Sequence, residues 1–419
     1  MIEEYEITKC RSCNSEHLTP ILSLGNQYVT NFIKSEEEQK NVPQVPLDLI
    51  LCEDCKLLQL KHNAPPESMW SDQYWYKSGI SLTIKEDLKD IVEKSQKIKE
   101  LQENDIVIDI GCNDGTMLEF YEKDKNLKLV GFEPSGNVAK EAGEKGLHVI
   151  NNFFNAENFK KDFGDEKAKL ITAISMFYDL EDPNTFLEDI VSCLDTNGLF
   201  VIQQNYLVGM LENNAFDNIC HEHREYYSLI SMKKLLDKHN LEIFDVDFNL
   251  INGGSIRTYI KLKENHELKG FGGSEERLKK AFENEIALGL DTLKPYQEFA
   301  SRIDDIKKEL LEFLIAKKAE GKKICIYGAG TRGNVILQYF DLSPKLIEMI
   351  ADKNPDKWGT KTIGSLIDID SPEKMREMQP DYLLVNTWHF FDEIQKQEAE
   401  YFNKGGKFMV AIPKFKVLE

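Results

Sequence analysis

The chain has 419 residues, 41% apolar and 30% charged, with a formal charge of −20, which is length for roughly three domains and apolar material enough for packed cores. The acidic balance weighs against a nucleic-acid partner, which would be met by lysine and arginine, and no window of about 18 apolar residues offers a membrane span. The start, MIEEYEITKC, lacks the apolar run of a signal peptide, so a cytoplasmic protein with reduced thiols is expected.

In chain order, the cysteines come first. Cys10 and Cys13 form one C-x-x-C and Cys52 and Cys55 another, among short strand-like runs (TPILSLG, LDLILCEDCKLLQL). Two such pairs suit a tetrahedral Zn²⁺, and four thiolates close its coordination shell, so a structural rather than catalytic metal is expected. An aromatic stretch, SMWSDQYWYKSG, leads into a helical pattern from about 82 to 101.

From Asp105 strands and helices alternate: DIVIDIG, MLEFYEKD, KLVGFEP, GNVAKEAGEKG, HVINNFF, KLITAISMF and LFVIQQNY. This is the rhythm of a doubly wound α/β sheet. LEIFDVDFN and SIRTYIKLK read as an antiparallel pair. The turn DIGCNDGT carries Asp109, Gly111, Asn113 and Gly115. It is not a G-x-G-x-x-G turn, and its acid suits the cationic S-adenosylmethionine (SAM) better than a pyrophosphate. Glu133, closing the next strand, is placed to accept ribose hydroxyls. The NNFF run that includes Phe153 can frame adenine.

After GFGGS a charged amphipathic helix runs to about Ala319, and KKICIYGAGTRGNVILQYF opens a second strand–turn–helix unit. Gly328, Gly330 and Gly333 match G-x-G-x-x-G, with Asp352 closing the next strand. Read from the residues alone, this loop fits a NAD-type site, another nucleotide phosphate at a helix N-terminus, or a close helix–strand contact.

The stretch FDNICHEHREYYSL holds His221, Glu222 and His223 behind Cys220. A metal there is crowded. A histidine beside a carboxylate suits general-base work, and Ser228 is a credible N-cap for the following helix.

These motifs in this order (CRSC…CEDC, YWYKSG, DIGCNDGT with GFEPS, HEH, NGGSIRTY and YGAGTRGN…PDYLLVNTWHF) resemble the SAM-dependent sugar C-methyltransferases that act on nucleotide-linked keto-deoxysugars. The resemblance covers nearly the whole length. It implies a class I SAM-methyltransferase Rossmann-like domain (76–265) after a zinc-binding module (1–75), then a helical linker (266–320) and a C-terminal Rossmann-like domain (321–419). It makes His223 the base with Glu222 and His221 beside it, brings Tyr76 into the active site, and turns the second glycine loop, with Gly328, Gly330 and Arg332, into a unit that is vestigial or holds the nucleotide sugar. Two positions depart from the family pattern: SMFYDLEDP stands where a histidine is expected, with Tyr178 or Asp179 taking its place, and Cys220 stands for a tyrosine.

The implied reaction is proton removal at C-3 of a 4-keto-deoxysugar followed by methylation of the enolate carbon, with Tyr76 or Tyr178 donating to the oxyanion. Arg257 pairs with the diphosphate or is a solvated strand-edge arginine. The rival readings are a sugar O-methyltransferase, a non-enzymatic zinc- and nucleotide-binding regulator, and a NAD-dependent oxidoreductase. A monomer is expected.

Overall fold

The computed structural model describes residues 5–29, 32–65, 68–69, 74–121 and 125–418. The expected signal-free N-terminus, the middle of SMWSDQYWYKSG and the end of MLEFYEKD therefore lie partly outside the described residues.

Near the N-terminus a four-stranded antiparallel sheet carries the cysteines. Leu18–Tyr28 pairs with Gln44–Cys52, which pairs with Leu58–Leu60. The fourth strand comes from far along the chain: Glu225–Tyr226 pairs antiparallel with Leu58–Leu60, Glu225 opposite Gln59. Arg224 O accepts from Leu60 N at 2.8 Å, so the segment after HEH is built into this sheet.

The central sheet has seven strands. Ile106–Ile110 lies between Lys128–Phe132 and Ala168–Ile174, both parallel to it. His148–Ile150 edges one side. On the other come Leu194–Asn205, Ser255–Leu262 and Leu241–Asn249, with Ser255–Leu262 antiparallel to both neighbours. Every residue of Ile106–Ile110 is buried, as a strand covered on both faces requires. The chain reverses direction of growth between Ile106–Ile110 and Ala168–Ile174, which places a ligand crevice at the carboxyl ends of those strands. The helix Leu82–Ile98, capped by Ser81, buries Ile84, Leu88, Ile91 and Val92 along one stripe, the spacing of a helix packed on a sheet. MLEFYEKD was expected as a helix; among its described residues a single turn, Leu118–Phe120, forms. The charged helix splits into Ser274–Ala287 and Lys294–Ala319, with Gly289 in the break at φ +76°.

A third sheet, six-stranded, is parallel except for its last strand. Ile324–Tyr327 lies between Ile350–Ala351 and Tyr382–Val385, and the order runs on through Lys407–Val410 to Lys416–Leu418. The helix Thr331–Tyr339 follows its first strand. The architecture is a zinc-binding-type module, a Rossmann-like central unit and a second Rossmann-like unit. One apolar core runs through all of them, joining Leu49 and Leu58, Met210 and Phe216, Phe299 and Leu310, and Ile324 and Ile336.

Candidate active site

The crevice at the switch point is a cavity of about 490 Å³ lined by Tyr74, Tyr76, Asp87, Asp109, Gly111, Asn113, Glu133, Phe153, Asp179, Gln203 and Asn252, among others. That is room for a cofactor-sized ligand. Asp109 is buried and accepts from the Thr172 hydroxyl at 2.8 Å. Burial and the neighbouring Glu133 push its pKa up to about 7, so a cation in the cavity would meet a carboxylate that gains from its presence. Glu133 accepts one backbone N–H on each oxygen, from Asn113 at 2.9 Å and Ser135 at 2.8 Å, which leaves a lone-pair direction on each for a ligand. Asn113 sits at φ +52°, a left-handed conformation asparagine tolerates. From there its side chain accepts from Ser78 N at 2.9 Å and donates to Tyr76 O at 3.1 Å, fastening the YWYKSG segment over the cavity. Phe153 is half-exposed at the rim.

Gly115 does not face the cavity: a Cβ there would lie 2.3 Å from Leu147 Cδ1. It serves close packing against the next strand-helix unit rather than a cofactor.

The HEH segment is a turn, neither helix nor strand, closed by His223 N donating to Cys220 O at 3.0 Å. His221 and His223 correspondingly bond to different parts of the molecule. For His221, Nε2 lies 2.9 Å from Val45 O, and burial holds its pKa down to about 4, so it donates to the cysteine-bearing sheet. His223 faces the other way, into a small cavity shared with Tyr178, Asn205, Tyr206 and Tyr226. Its Nδ1 is 2.8 Å from Asn218 O. A carbonyl only accepts, so Nδ1 carries the proton and Nε2 is left unprotonated. Burial first, then Arg332, lower its pKa to about 3. Burial raises Glu222 to about 7, and ligand atoms of Cys220, Glu222 and His223 lie within 4.8 Å of one another. Tyr178 packs edge-on against His223 with ring centroids 4.4 Å apart. Asp179 lines the large cavity with Oδ1 buried and unpartnered among the described residues. Tyr74 also lines the large cavity, and burial with the Glu222 and Asp179 charges pushes its phenol up.

Arg257 is neither a diphosphate ligand nor solvated. It is 1% exposed, with Nε on Gln203 at 2.8 Å, Nη1 on Asp90 at 2.8 Å and Nη2 on Asp87 at 3.1 Å. Its role is to hold the cavity walls Asp87 and Gln203. The second glycine loop is likewise engaged with itself. Asp352 accepts from Ala329 N at 2.7 Å, and a Cβ on Gly328 would meet Thr387 at 2.7 Å. Gly330 ends the loop as the N-cap of its helix. Arg332 is bound to Asp217 and to Asn252 O, which occupies the Nε and Nη1 hydrogens a diphosphate would need.

The four N-terminal cysteines fit a metal. Their sulfurs lie within 4.8 Å of one another, with Cys10–Cys55 at 3.4 Å and Cys13–Cys52 at 3.5 Å, near the about 3.8 Å expected around tetrahedral zinc. Contacts among the thiols pull Cys52 down and push Cys10 up to about 12, with Cys55 up as well. Thiols packed so closely ionise together only around a cation. Gln59 Nε2 donates to Cys10 Sγ at 3.2 Å, orienting that sulfur. The site is structural, its shell closed by four sulfurs.

The fold, the crevice and its two acids define a SAM-dependent methyltransferase that also carries a structural zinc centre. Comparison with known proteins agrees. Residues 83–246 match a family model described as "Methyltransferase domain" and residues 250–413 one described as "C-methyltransferase C-terminal domain". Residues 10–70 match "Putative zinc binding domain". The C-methyltransferase NovU of Streptomyces niveus is 29% identical over 420 residues, 98% of this chain and 97% of that protein. Together these support a SAM-dependent C-methyltransferase. Among solved structures, a SAM-dependent methyltransferase from Clostridium acetobutylicum aligns with 42% of this chain and 91% of its own at 17% identity and a TM-score of 0.34. The plantazolicin methyltransferase BpumL with SAH aligns with 42% and 82% at 15% identity, also with a TM-score of 0.34.

Proposed function

We propose that the protein methylates carbon, at C-3 of a nucleotide-linked 4-keto-deoxysugar, through an enolate formed by His223. The observation that carries this reading is the fixed tautomer of His223, with Nδ1–H on Asn218 O at 2.8 Å and Nε2 free to accept a proton. A sugar carbon becomes nucleophilic only after losing a proton, and it is acidic only beside a carbonyl. The reaction therefore needs a ketone, a base and a donor to the enolate oxygen.

SAM, when bound, supplies an electrophilic methyl group. In this reading Glu133 takes the ribose hydroxyls, Phe153 covers the adenine, and Asp109, Gly111 and Asn113 shape the turn beneath the cofactor. His223 removes the C-3 proton, with Glu222 as counter-charge. Tyr178, against the imidazole, or Tyr76, at the cavity wall, donates to the developing oxyanion. Alignment of the methyl group with the carbon that His223 deprotonates supplies much of the acceleration.

The test is exchange of the C-3 proton in deuterium oxide, followed by NMR, with thymidine-diphospho-4-keto-6-deoxyglucose and related keto-sugars plus S-adenosylhomocysteine. Enzyme-dependent exchange that drops by about 100-fold or more in His223→Ala supports the reading. Methylation of a hydroxyl without exchange would replace it with O-methyl transfer.

A further inference from the structure

The C-terminal unit reaches the base through one buried acid. Asp217 is fully buried in the short turn Phe216–Asn218, and a carboxylate there must be compensated. Among the described residues, the side chains that bond it, all at Oδ2, come from the C-terminal unit. Arg332 Nε donates to Oδ2 at 2.9 Å, with Nη2 2.7 Å from the same oxygen, and Trp388 Nε1 donates to it at 3.1 Å. Arg332 also donates through Nη1 to Asn252 O at 2.7 Å. Trp388 packs so closely on the neighbouring turn that a Cβ on Gly253 would lie 2.6 Å from its ring.

The residue after Asp217 is Asn218, whose carbonyl accepts Nδ1–H of His223 at 2.8 Å and the Tyr226 hydroxyl at 3.3 Å. Its side chain accepts from Asn205 Nδ2 at 2.8 Å. We propose that Asp217, clamped by Arg332 and Trp388, is a positioning residue: it fixes the turn that aims the Asn218 carbonyl at His223 and thereby selects the imidazole tautomer. The second Rossmann-like unit thus acts on the reaction without holding a nucleotide in its own glycine loop. Because Asn252 lines the large cavity, the same clamp ties the cavity rim to the turn that bears on the base. The inference rests on His223 being the base.

The test reads the tautomer directly and needs no substrate. In the full-length zinc-loaded protein labelled with ¹⁵N-histidine, the His223 ring signals are assigned by their loss in His223→Gln. The wild type is expected to show a protonated Nδ1 and an unprotonated Nε2. Asp217→Asn, and Trp388→Phe combined with Arg332→Lys, are expected to move both signals toward the averaged positions of mixed tautomers. Zinc content should stay as in the wild type in both, and S-adenosylhomocysteine affinity in Asp217→Asn, which leaves Arg332 and its bond to Asn252 in the chain. If Asp217→Asn loses that affinity, the single change Trp388→Phe, which removes one hydrogen bond to Asp217 together with the benzo-ring contact on Gly253, decides by the same shift. A wild type already mixed, or folded variants that keep its tautomer, overturns the proposal. Failure of the base reading would show separately, as C-3 exchange persisting in His223→Ala.

Discussion

A histidine held near pKa 3 is unprotonated at neutral pH but weakly basic, so its use as a base depends on what stabilises the imidazolium as it forms. Glu222 is the nearby candidate, and burial raises it to about 7. Below pH 7 it is mostly neutral and offers no counter-charge; above, it does. Turnover should therefore rise through pH 7 in the wild type, and Glu222→Gln should be slower with that limb flattened, as a pH–rate profile will show. Arg257 gives a stability prediction at the same scale. Asp87, its partner, has a side chain only 9% exposed, and Arg257→Met would strand that carboxylate at a cost of about 3–5 kcal/mol. The thermal midpoint should fall by about 3–6 °C, with weaker S-adenosylhomocysteine binding measured by titration. The partners of Arg257 were not legible in the sequence. Asp87 and Asp90 lie on a helix remote in the chain, and only the register of that helix on the sheet brings them to the guanidinium. That Asp109, Gly111, Asn113 and Glu133 meet at one crevice was legible because one strand–turn–strand passage holds them all.

Among the elements, the two-residue strand Glu225–Tyr226 does the most linking. It is too short for any period to reveal it, yet it joins the turn bearing His223 to the sheet of the zinc cysteines. Gln59 stands between, opposite Glu225 in register and donating to Cys10, and His221 adds its bond to Val45. Removing the metal should therefore reach His223 without touching it. Chelation, or Cys52→Ser, is expected to lower methyl transfer by at least about tenfold, while His223→Ala keeps its zinc. Metal analysis alongside activity checks both. The cysteine pairs themselves were readable from spacing alone, because each C-x-x-C turn is local. The helix expected over MLEFYEKD is cut to one turn among its described residues for the opposite reason: Met117, Leu118 and Tyr121 are pulled into the core beneath the central sheet, and packing there overrode the local pattern.

For the whole molecule, the buried acids set a pH dependence of folding. Burial raises Glu225 to about 8 and Asp109 to about 7, against about 4 in an unfolded chain. A raised carboxyl favours the folded state fully below its unfolded pKa and loses that contribution as pH climbs through the folded value. The ligand-free protein should accordingly lose stability from these groups between about pH 4 and 8, by at most about 1.4 kcal/mol per pH unit for each. Thermal unfolding of Glu225→Gln across that range should show a shallower decline than the wild type. S-adenosylmethionine, as a cation near Asp109, should stabilise more at the alkaline end.

The sheet that carries the cysteines takes its last strand from residues more than a third of the chain further on. On the ribosome, Leu58–Leu60 emerges with one edge open and waits while the intervening segment is made, on the order of 10–30 s at usual elongation rates. An N-terminal fragment ending before Glu225 would keep that edge bare, and an unpaired strand edge invites association with another chain. The zinc-binding segment and the turn bearing His223 therefore finish one sheet between them: exchanging one without the other between related chains keeps the newborn sheet whole only where the register of Glu225 opposite Gln59 is matched.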